Sequence, residues 1–351
     1  MKSIIIHYFT GTGNTAHAAE VLGKELEQKG AAVSLYRVKR DVAAPDQAAD
    51  VHVFMFPVYG FTFPYSMLCY LKKLPNGNGA KAAVIANHGM LNMKGGINTG
   101  YEAHSALKAA RILEKRGYDV FLTDRVGYPE NVTVIAHAPS QENCREVVVA
   151  ADKKINEIAG RISMQVKSLH RYNFLDNLCG IALGWSYVYF GRWQIGKFYI
   201  ADSRCNECGT CVSMCPAGCI RMFNKKPRWN YKCDGCLRCY NFCPQNAIQV
   251  SIMRTILILG LTVGLIPPAI DWYLPIYSVF MYTLPVNAGF AQALYGAVSV
   301  IAVFLLYTAA FCVLLYVLDK VYFWLEQVPG VRKLFAWTYS RKLRRYRAPG
   351  Y

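Results

Sequence analysis

The sequence predicts an α/β fold with a doubly wound parallel sheet, followed by a small cysteine-rich module and a pair of apolar helices. Three observations support this prediction. Strand and helix patterns alternate over the first 160 residues, eight cysteines in a repeated spacing occupy residues 205–243, and two long segments after residue 250 are almost free of charge. Alternating strands and helices are typical of parallel sheets with helices on both faces. At 351 residues, the chain has room for two or three domains.

The strand and helix alternation begins at the first residues. The run Ile4–Phe9 is apolar on both faces and predicts a buried first strand. A helix is predicted from about Ala16 to Gly30, and a last helix follows Ser140 as its N-cap. Further strands are predicted at residues 32–38, 51–56, 82–86 and 119–126, with another helix at 98–116. No charged region or cleavage site follows Met1, so no signal peptide is expected.

A loop rich in glycine and hydroxyl side chains follows the first strand: Thr10, Gly11, Thr12, Gly13, Asn14 and Thr15. Strand, loop and helix in this order suit a phosphate, because loop amides and the helix N-terminus attract an anion. The loop lacks the lysine of a nucleoside-triphosphate loop and is not G-x-G-x-x-G. It resembles the flavodoxin phosphate loop, S/T-x-T-G-x-T. The resemblance implies bound FMN and strand order 2-1-3-4-5; the alternative is a turn that kept its shape and lost its ligand.

In flavodoxins, the loops after the third and fourth strands flank the flavin ring. The corresponding residues here are Pro57, Val58, Tyr59, Gly60, Asn87, His88 and Gly89. Tyr59 is the candidate for stacking on the ring, with His88 or Met90 opposite. The usual tryptophan and tyrosine pair is not visible, although backbone contacts could still hold the ring. Tyr59 as an exposed loop aromatic and His88 as a turn cap remain open alternatives.

The spacing C-x2-C-x2-C-x3-C-P occurs twice within residues 205–244. It closely resembles the bacterial two-cluster ferredoxin, in which the fourth cysteine of each run binds the other [4Fe-4S] cluster. The resemblance therefore implies crossed ligand sets: Cys205, Cys208, Cys211 and Cys243 for one cluster, and Cys215, Cys233, Cys236 and Cys239 for the other. A pair of zinc ribbons is the alternative. Four cysteines per run, a proline after each fourth and no interspersed histidine count against it.

Five cysteines lie outside these sets: Cys69, Cys144, Cys179, Cys219 and Cys312. Their scattered positions give no pairing pattern, which indicates a reducing compartment. Cys219 is close to Cys215 in sequence, but the ligand position is already filled. We therefore expect Cys219 to be a small buried hydrophobic residue.

The net charge of +17 is unevenly distributed. Residues 161–250 carry 12 basic and 4 acidic side chains, and residues 319–351 carry 8 and 2. No nucleic-acid motif accompanies this charge, so no nucleic-acid partner is expected. An anionic lipid surface, or a redox partner protein with an acidic docking face, matches the charge better.

Two segments are long and apolar enough to cross a bilayer. Gly289–Leu318 has no charged residue, and Thr255–Leu284 contains only Asp271 and tyrosines as ionisable groups. Prolines shorten the first predicted span to about Thr255–Leu274. Lys and Arg lie before and after the pair and are absent from the loop 275–288, so both ends are expected to face the cytoplasm. The prediction is a hairpin in the inner (cytoplasmic) membrane; the alternative is a buried helical pair of a soluble domain.

The connector between the two redox modules is basic and aromatic. Its apolar stretch, Leu178–Phe190, is interrupted by glycines and is short for a membrane span. A helix packed between the modules is favoured, and a helix lying on the bilayer surface is the alternative. The predicted divisions are a flavodoxin-like FMN domain (1–160), the connector (161–200), a two-cluster ferredoxin domain (201–250), a transmembrane hairpin (251–318) and a basic cytoplasmic tail (319–351).

Together, residues 1–250 resemble the family of ferredoxins whose N-terminal region is similar to flavodoxins. The resemblance implies electron transfer, because a flavin releases electrons singly and clusters carry them onward. The first hypothesis is a membrane-tethered carrier that links FMN and two clusters to a redox partner, which could be an integral membrane protein. A flavin and iron–sulfur oxidoreductase acting on a lipophilic acceptor such as a quinone is the alternative, and a redox sensor or assembly protein is the third. No catalytic residue is predicted. We expect eight iron atoms and one FMN per chain.

Overall fold

The computed structural model describes residues 2–45, 48–93, 96–98, 100–283 and 289–351. The chain forms two compact units. The first comprises Met1–Gln249 with Ser340–Tyr351, and the second comprises Val250–Tyr339. The boundary near residue 250 agrees with the predicted start of the apolar helices, whereas the return of residues 340–351 to the first unit was not predicted.

The first unit is built on a parallel sheet. Its strands are β1 (Ser3–Tyr8), β2 (Ala32–Arg37), β3 (Val51–Pro57), β4 (Lys81–Met93), β5 (Gly96–Asn98), β6 (Asp119–Pro129) and β7 (Ser168–Leu169). The order is β2-β1-β3-β4-β6-β7 with parallel neighbours, and β5 pairs antiparallel with β4. The predicted order 2-1-3-4-5 is therefore confirmed, with the short β7 added beyond the fifth strand.

Helices cover both faces of this sheet: α1 (Asn14–Gln28), α2 (Tyr65–Lys73), α3 (Ser105–Glu114) and α4 (Gln141–Ser163). One core contains Ile6 with Leu22 and Ile155 from α1 and α4, and the other contains Phe54 with side chains of α2 and α3. The predicted N-cap is confirmed, because the Ser140 hydroxyl accepts a hydrogen bond from the Asn143 amide. Helix α2 was not among the elements predicted from the sequence.

Strand β4 is longer than its apolar segment suggested. It was predicted to end at Ala86, with a loop at residues 87–90, but its pairing with β6 continues through His88 opposite Gly127 and Met90 opposite Pro129. The predicted loop at 87–90 is therefore wrong. Pairing with a neighbouring strand satisfies the backbone of a polar sequence as well as an apolar one.

Short elements connect and form the cysteine-rich module. The connector contains α5 (Phe174–Ser186), a π-helical turn (Tyr187–Gly191), α6 (Arg192–Ile195) and a 3-10 turn (Gly196–Phe198). The module contains β8 (Tyr199–Ala201), α7 (Thr210–Ser213), β9 (Ile220–Phe223), β10 (Lys226–Trp229), α8 (Arg238–Phe242) and β11 (Ile248–Val250). Strands β9 and β10 form an antiparallel hairpin, and β8 pairs with β11.

The second unit is helical, with α9 (Ile252–Gly264), α10 (Ile266–Thr283), α11 (Gly289–Leu325) and α12 (Pro329–Phe335). Ile252–Val279 and Leu294–Leu325 are long and apolar enough to cross a membrane. The predicted loop 275–288 is wrong over its first residues, because helix α10 continues through Pro275 to Thr283. Residues 284–288 lie outside the described part of the chain. Helix α11 also passes its predicted end at Leu318.

Residues 340–351, which we call the tail segment, belong to the first unit. They therefore do not form a single tail with residues 319–339, as the prediction of a cytoplasmic tail 319–351 had it. The Arg345 guanidinium donates to the backbone oxygens of Asn246 and Ile248, at 3.0 and 2.8 Å. The Ala348 amide donates to the Thr12 oxygen at 3.1 Å. The prediction of one basic segment is corrected for a physical reason: these basic side chains have backbone acceptors in the first unit.

Tyr346 tests whether the tail segment stabilises the first unit. Its buried ring packs with Ala138 and Ala348 over Cys144, and burial raises the pKa of the Cys144 thiol. We expect Tyr346→Ala to lower the melting temperature by roughly 5–10 °C, because a buried aromatic ring is lost. Alkylation of Cys144, followed by peptide mass mapping, should become faster because thiolate formation becomes easier. Tyr189→Ala, at a half-exposed ring of the connector, is the control. Unchanged melting and Cys144 reactivity in Tyr346→Ala would contradict the assignment.

Candidate iron–sulfur site

Four cysteines surround the first candidate site, site I. Cys205 and Cys208 precede α7, Cys211 lies on α7, and Cys243 follows α8. All four line one cavity, together with Pro244 and apolar side chains of the module. Cys208 is exposed, so site I reaches the surface of the protein.

A second cavity, site II, is lined by the other predicted set. Cys233 and Cys236 precede α8, Cys239 lies on α8, and Cys215 follows α7. Cys233 and Cys239 are buried, and Tyr199 and Trp229 also line the cavity. The fold therefore brings the fourth cysteine of each run to the other run's first three, as the crossed sets require. That these cysteines bind iron stays a prediction.

The two cysteine loops repeat in backbone as well as in sequence. Glu207 and Gly235 occupy equivalent positions with φ of 67° and 66°, and Gly209 and Leu237 are equivalent with φ of 72° and 57°. Left-handed backbone costs of order 1 kcal/mol or more at Glu207 and Leu237, which carry side chains. Both loops keep these left-handed turns even where glycine is absent. The turns are therefore required for each loop to surround its site.

The spread of the sulfurs suits a cluster better than one zinc ion. Within the described ranges, no three His, Cys, Asp or Glu side chains converge closely enough to hold a single metal ion. All eight cysteines belong to those ranges and line two cavities instead. A structural zinc ion needs four ligands within about 2.3 Å, whereas a [4Fe-4S] cube places its four ligands further apart. The donor set therefore fits a [4Fe-4S] cluster in each cavity.

Several N–H groups point at the cysteine sulfurs. The Gly235 amide lies 3.4 Å from Cys233 Sγ, and the Ala247 amide lies 3.3 Å from Cys243 Sγ. The Trp229 indole donates to Cys239 Sγ at 3.4 Å. Such bonds stabilise negative charge on a sulfur ligand and tune a cluster's reduction potential.

Cys219 lies beside site II. This position was not predicted from the sequence. It is buried, as predicted, but its Sγ lies 3.5 Å from Cys215 Sγ and it lines the cavity. The feature of the sequence that could have indicated this position is that Cys219 follows Cys215 by four residues. Cys219 can contribute a weak S–H hydrogen bond beside a ligand sulfur.

Burial makes free thiolates unfavourable at two positions of site II. It raises the pKa of the Cys236 and Cys239 thiols well above the ordinary value. At site I, burial raises the pKa of Cys211 to about 11. Deprotonated sulfurs in these positions need nearby positive charge, which iron supplies when bound.

Asp234 fastens the loop of site II to the sheet. It lies between Cys233 and Cys236 and is 1% exposed. Its carboxylate accepts from Arg40 Nη2 at 2.7 Å and from the amide and hydroxyl of Ser66. Arg40 follows β2 and Ser66 lies in the first turn of α2. Burial raises the pKa of Asp234, and Arg40 opposes that shift.

The connector packs between the sheet and the module over residues 187–198, as favoured from the sequence. Tyr187 donates its hydroxyl to the Asp234 backbone oxygen at 2.7 Å. Arg192 Nη1 donates to the Tyr231 oxygen at 3.0 Å, and its guanidinium lies 4.0 Å from the centre of the Tyr65 ring. These contacts hold site II in a fixed position against the sheet.

The predicted phosphate loop exists, but other parts of the chain cover it. Thr10, Thr12 and Thr15 are buried. The Thr12 hydroxyl accepts from Asn131 at 2.5 Å, and the Thr15 hydroxyl accepts from the Asn87 amide at 3.3 Å. Three further contacts of the loop come from the tail segment and site II: Asn14 Oδ1 with the Tyr346 hydroxyl, Gly11 O with Arg238 Nη1, and Thr12 O with the Ala348 amide.

The predicted ring-binding residues also have partners within the chain. Pro57 ends β3, the Val58 amide donates to the Asn87 oxygen at 2.8 Å, and Tyr59 forms a tight turn with Thr62. Gly60 has φ 54°, and the Tyr187 ring occupies the space that a side chain at this position would need. His88 and Gly89 lie within β4, where Gly89 is beside the Glu130 carboxylate.

Other parts of the chain lie directly against Gly11 and Gly13 of the predicted phosphate loop. The Tyr59 hydroxyl lies 2.6 Å from the position of a Cβ added to Gly11, and Cys236 Cβ lies 3.1 Å from it. On the other side of the loop, a Cβ on Gly13 would lie 2.8 Å from Ala348 Cβ. The residues present therefore do not leave room for FMN in this arrangement.

A single substitution tests the contact of Asp234 with Arg40 and Ser66, which we call the Asp234 clamp. Asp234→Asn leaves Arg40 buried without its counter-charge, so we expect the free energy of unfolding to fall by about 3–5 kcal/mol. Unfolding is measured as the loss of cluster absorbance when the detergent-solubilised chain is heated. The control is Asp41→Asn, which removes an exposed pair with Lys232 at 3.8 Å; we expect a change within about 0.5 kcal/mol. Equal small effects of the two substitutions would refute the clamp.

Comparison with known proteins gives one family match and several similar solved structures. Residues 204–248 match a family described as a 4Fe-4S dicluster domain. Similar solved structures include a flavodoxin from Streptococcus pneumoniae TIGR4, with 17% identity, 47% of this chain and 99% of that chain covered, and a TM-score of 0.34. Flavodoxin 1 from Bacillus cereus has 14% identity, with 46% and 97% covered and a TM-score of 0.33. No curated protein matches the chain. By its own sheet order and this match, the chain joins a flavodoxin-like α/β domain to a 4Fe-4S dicluster domain.

Proposed function

We propose that the chain is a membrane-tethered electron carrier with two [4Fe-4S] clusters. The observation that carries this proposal is the pair of four-cysteine cavities within the 4Fe-4S dicluster domain. When bound, each cluster stores one electron. A low-potential donor protein loses one electron for each electron that an acceptor protein gains, and no covalent bond in the chain is made or broken.

The exposure of the two sites suggests where partners exchange electrons. Site I reaches solvent at Cys208, whereas Cys233 and Cys239 of site II are buried. Electron tunnelling weakens steeply with distance, so a partner exchanges electrons fastest where a cluster is near the surface. Site I is the proposed contact point for partners.

The hairpin of β9 and β10 supports a partner with an acidic face. Arg221, Met222, Phe223 and Lys225 are exposed there, and Met222 also lines the cavity of site I. Exposed apolar and basic side chains together are suited to a surface that carries carboxylates around an apolar centre. This would place an acidic docking partner next to the exposed cluster.

FMN, predicted from the loop of residues 10–15, is not included in the proposed electron path. The loop is covered by Ala348 and by the loop of Cys236, and Tyr59 reaches across it. The electron path that we propose therefore uses only the two clusters.

The membrane part of the proposal rests on the second unit and on α5. Two helices are long and apolar enough to span a bilayer, and basic residues beyond their ends favour a cytoplasmic location for the redox domains. Helix α5 and the turn after it expose apolar and aromatic side chains: Phe174, Leu175, Leu178, Ile181, Trp185 and Tyr189. Such a surface suits the lipid interface. Retention of the full chain in membranes after alkaline carbonate treatment would support the tether, and release would refute it.

Small redox probes test the exit at site I without a known partner. We expect the double substitution Arg221→Glu with Lys225→Glu to slow reoxidation of the reduced chain by anionic ferricyanide by roughly tenfold at low salt. The same change should speed reoxidation by cationic hexaamminecobalt(III). Both effects should shrink at high salt because mobile ions screen the surface charge. Stopped-flow absorbance of the clusters measures the rates.

A charge-matched control separates a local effect from the total charge. Lys24→Glu with Lys29→Glu changes the net charge equally, but these exposed residues lie in the last part of α1 and just after it. We expect much smaller rate changes for this pair. Equal responses of the two double variants would show that electrons do not leave beside the β9–β10 hairpin.

A further inference from the structure

Doubly wound parallel sheets bind ligands beyond the carboxyl ends of their strands, where the strand order reverses. In this chain, that edge includes the loop after β1 and the turn after β3. We infer that site II and the tail segment occupy this edge, so the chain holds its second cluster where a flavodoxin-like sheet would hold a flavin and takes up no FMN. The inference rests on the proposed function in one respect: it takes the cysteines of site II to bind a cluster.

Gly11 is the closest contact between the loop and site II. A Cβ added to Gly11 would collide with the backbone oxygen of Cys236 and would lie 3.1 Å from Cys236 Cβ. Gly11 has a role in this chain that is independent of a phosphate, because it allows the site II loop to approach the sheet.

Arg238 connects the same loop to the cavity of site II. Its Nη1 donates to the Gly11 oxygen at 3.0 Å, and Arg238 is one of the residues that line the cavity. It is buried, and among the described residues its Nε has no hydrogen-bond partner. A buried N–H group that lacks a partner is costly. A cluster with its four thiolates is anionic, so a bound cluster would provide both an acceptor and a counter-charge for Arg238.

The tail segment closes the other side of the loop. Ala348 is buried against Gly13 and bonds to Thr12, while the Tyr346 hydroxyl donates to Asn14 Oδ1 at 2.5 Å. The Tyr351 hydroxyl donates to Glu20 on α1 at 3.0 Å. Residues 346–351 thus cover the start of α1, where an FMN phosphate would have to bind.

The test uses the full chain, purified without oxygen in detergent. Wild-type protein should contain iron and sulfide but no flavin above background, and added FMN should keep its free fluorescence when titrated with protein. Gly11→Ala should alter or remove the electron paramagnetic resonance signal of one reduced cluster and leave the other. Arg238→Gln should move the potential of one cluster to more negative values, because a positive charge beside it is lost.

Gly160→Ala is the matched control, since a Cβ at this position of α4 meets nothing within 4 Å. We expect its cluster signals to equal those of wild type. A stoichiometric flavin in wild-type protein, or tight quenching of added FMN, would overturn the inference whatever the clusters do. Unchanged signals in Gly11→Ala would also overturn it. If Gly11→Ala does not fold, the cluster potential of Arg238→Gln and the FMN titration of wild-type protein still test the inference. Absence of iron would instead reject the proposed function.

Discussion

The buried ion pair between Asp234 and Arg40 is the contact on which the rest of the first unit depends. It joins the loop between two ligand cysteines of site II to the end of β2, with Ser66 of α2 completing the contact. Burying two charges is expensive, so such a pair adds little net stability, yet removing either partner is strongly unfavourable. The pair therefore defines one relative position of module and sheet, because other positions would leave a buried charge without a partner.

That fixed position explains the altered edge of the sheet. A flavodoxin-like sheet offers glycine and threonine loops that allow close backbone approach, and this chain uses the close approach for its own segments. The Cys236 loop lies over Gly11, and Ala348 lies over Gly13. Tyr187 lies over Gly60 in the same way. Each of the three glycines permits a contact within the chain that any side chain would block.

Much of this architecture could be predicted from local sequence, and the limits have physical causes. The resemblance to two-cluster ferredoxins implied the two sets of four cysteines, and the members of each set line one cavity. That these sets bind clusters stays a prediction. Apolar runs located five of the strands, and the resemblance to flavodoxins implied their order. The extension of β4 through His88 was missed because pairing with β6, and not apolar character, keeps that backbone extended. The filled edge was missed because it depends on contacts between residues more than 200 positions apart, such as Arg238 with Gly11 and Tyr346 with Asn14.

We propose that one of two iron–sulfur clusters lies beside the loop of residues 10–15. Anomalous scattering at the iron absorption edge, from crystals of the anaerobically prepared full chain, tests it most directly. We expect two compact iron peaks, one among Cys205, Cys208, Cys211 and Cys243, and the other among Cys215, Cys233, Cys236 and Cys239 next to Gly11. Single zinc ions at the cysteines, or an isoalloxazine ring between Gly11 and Tyr59, would contradict it.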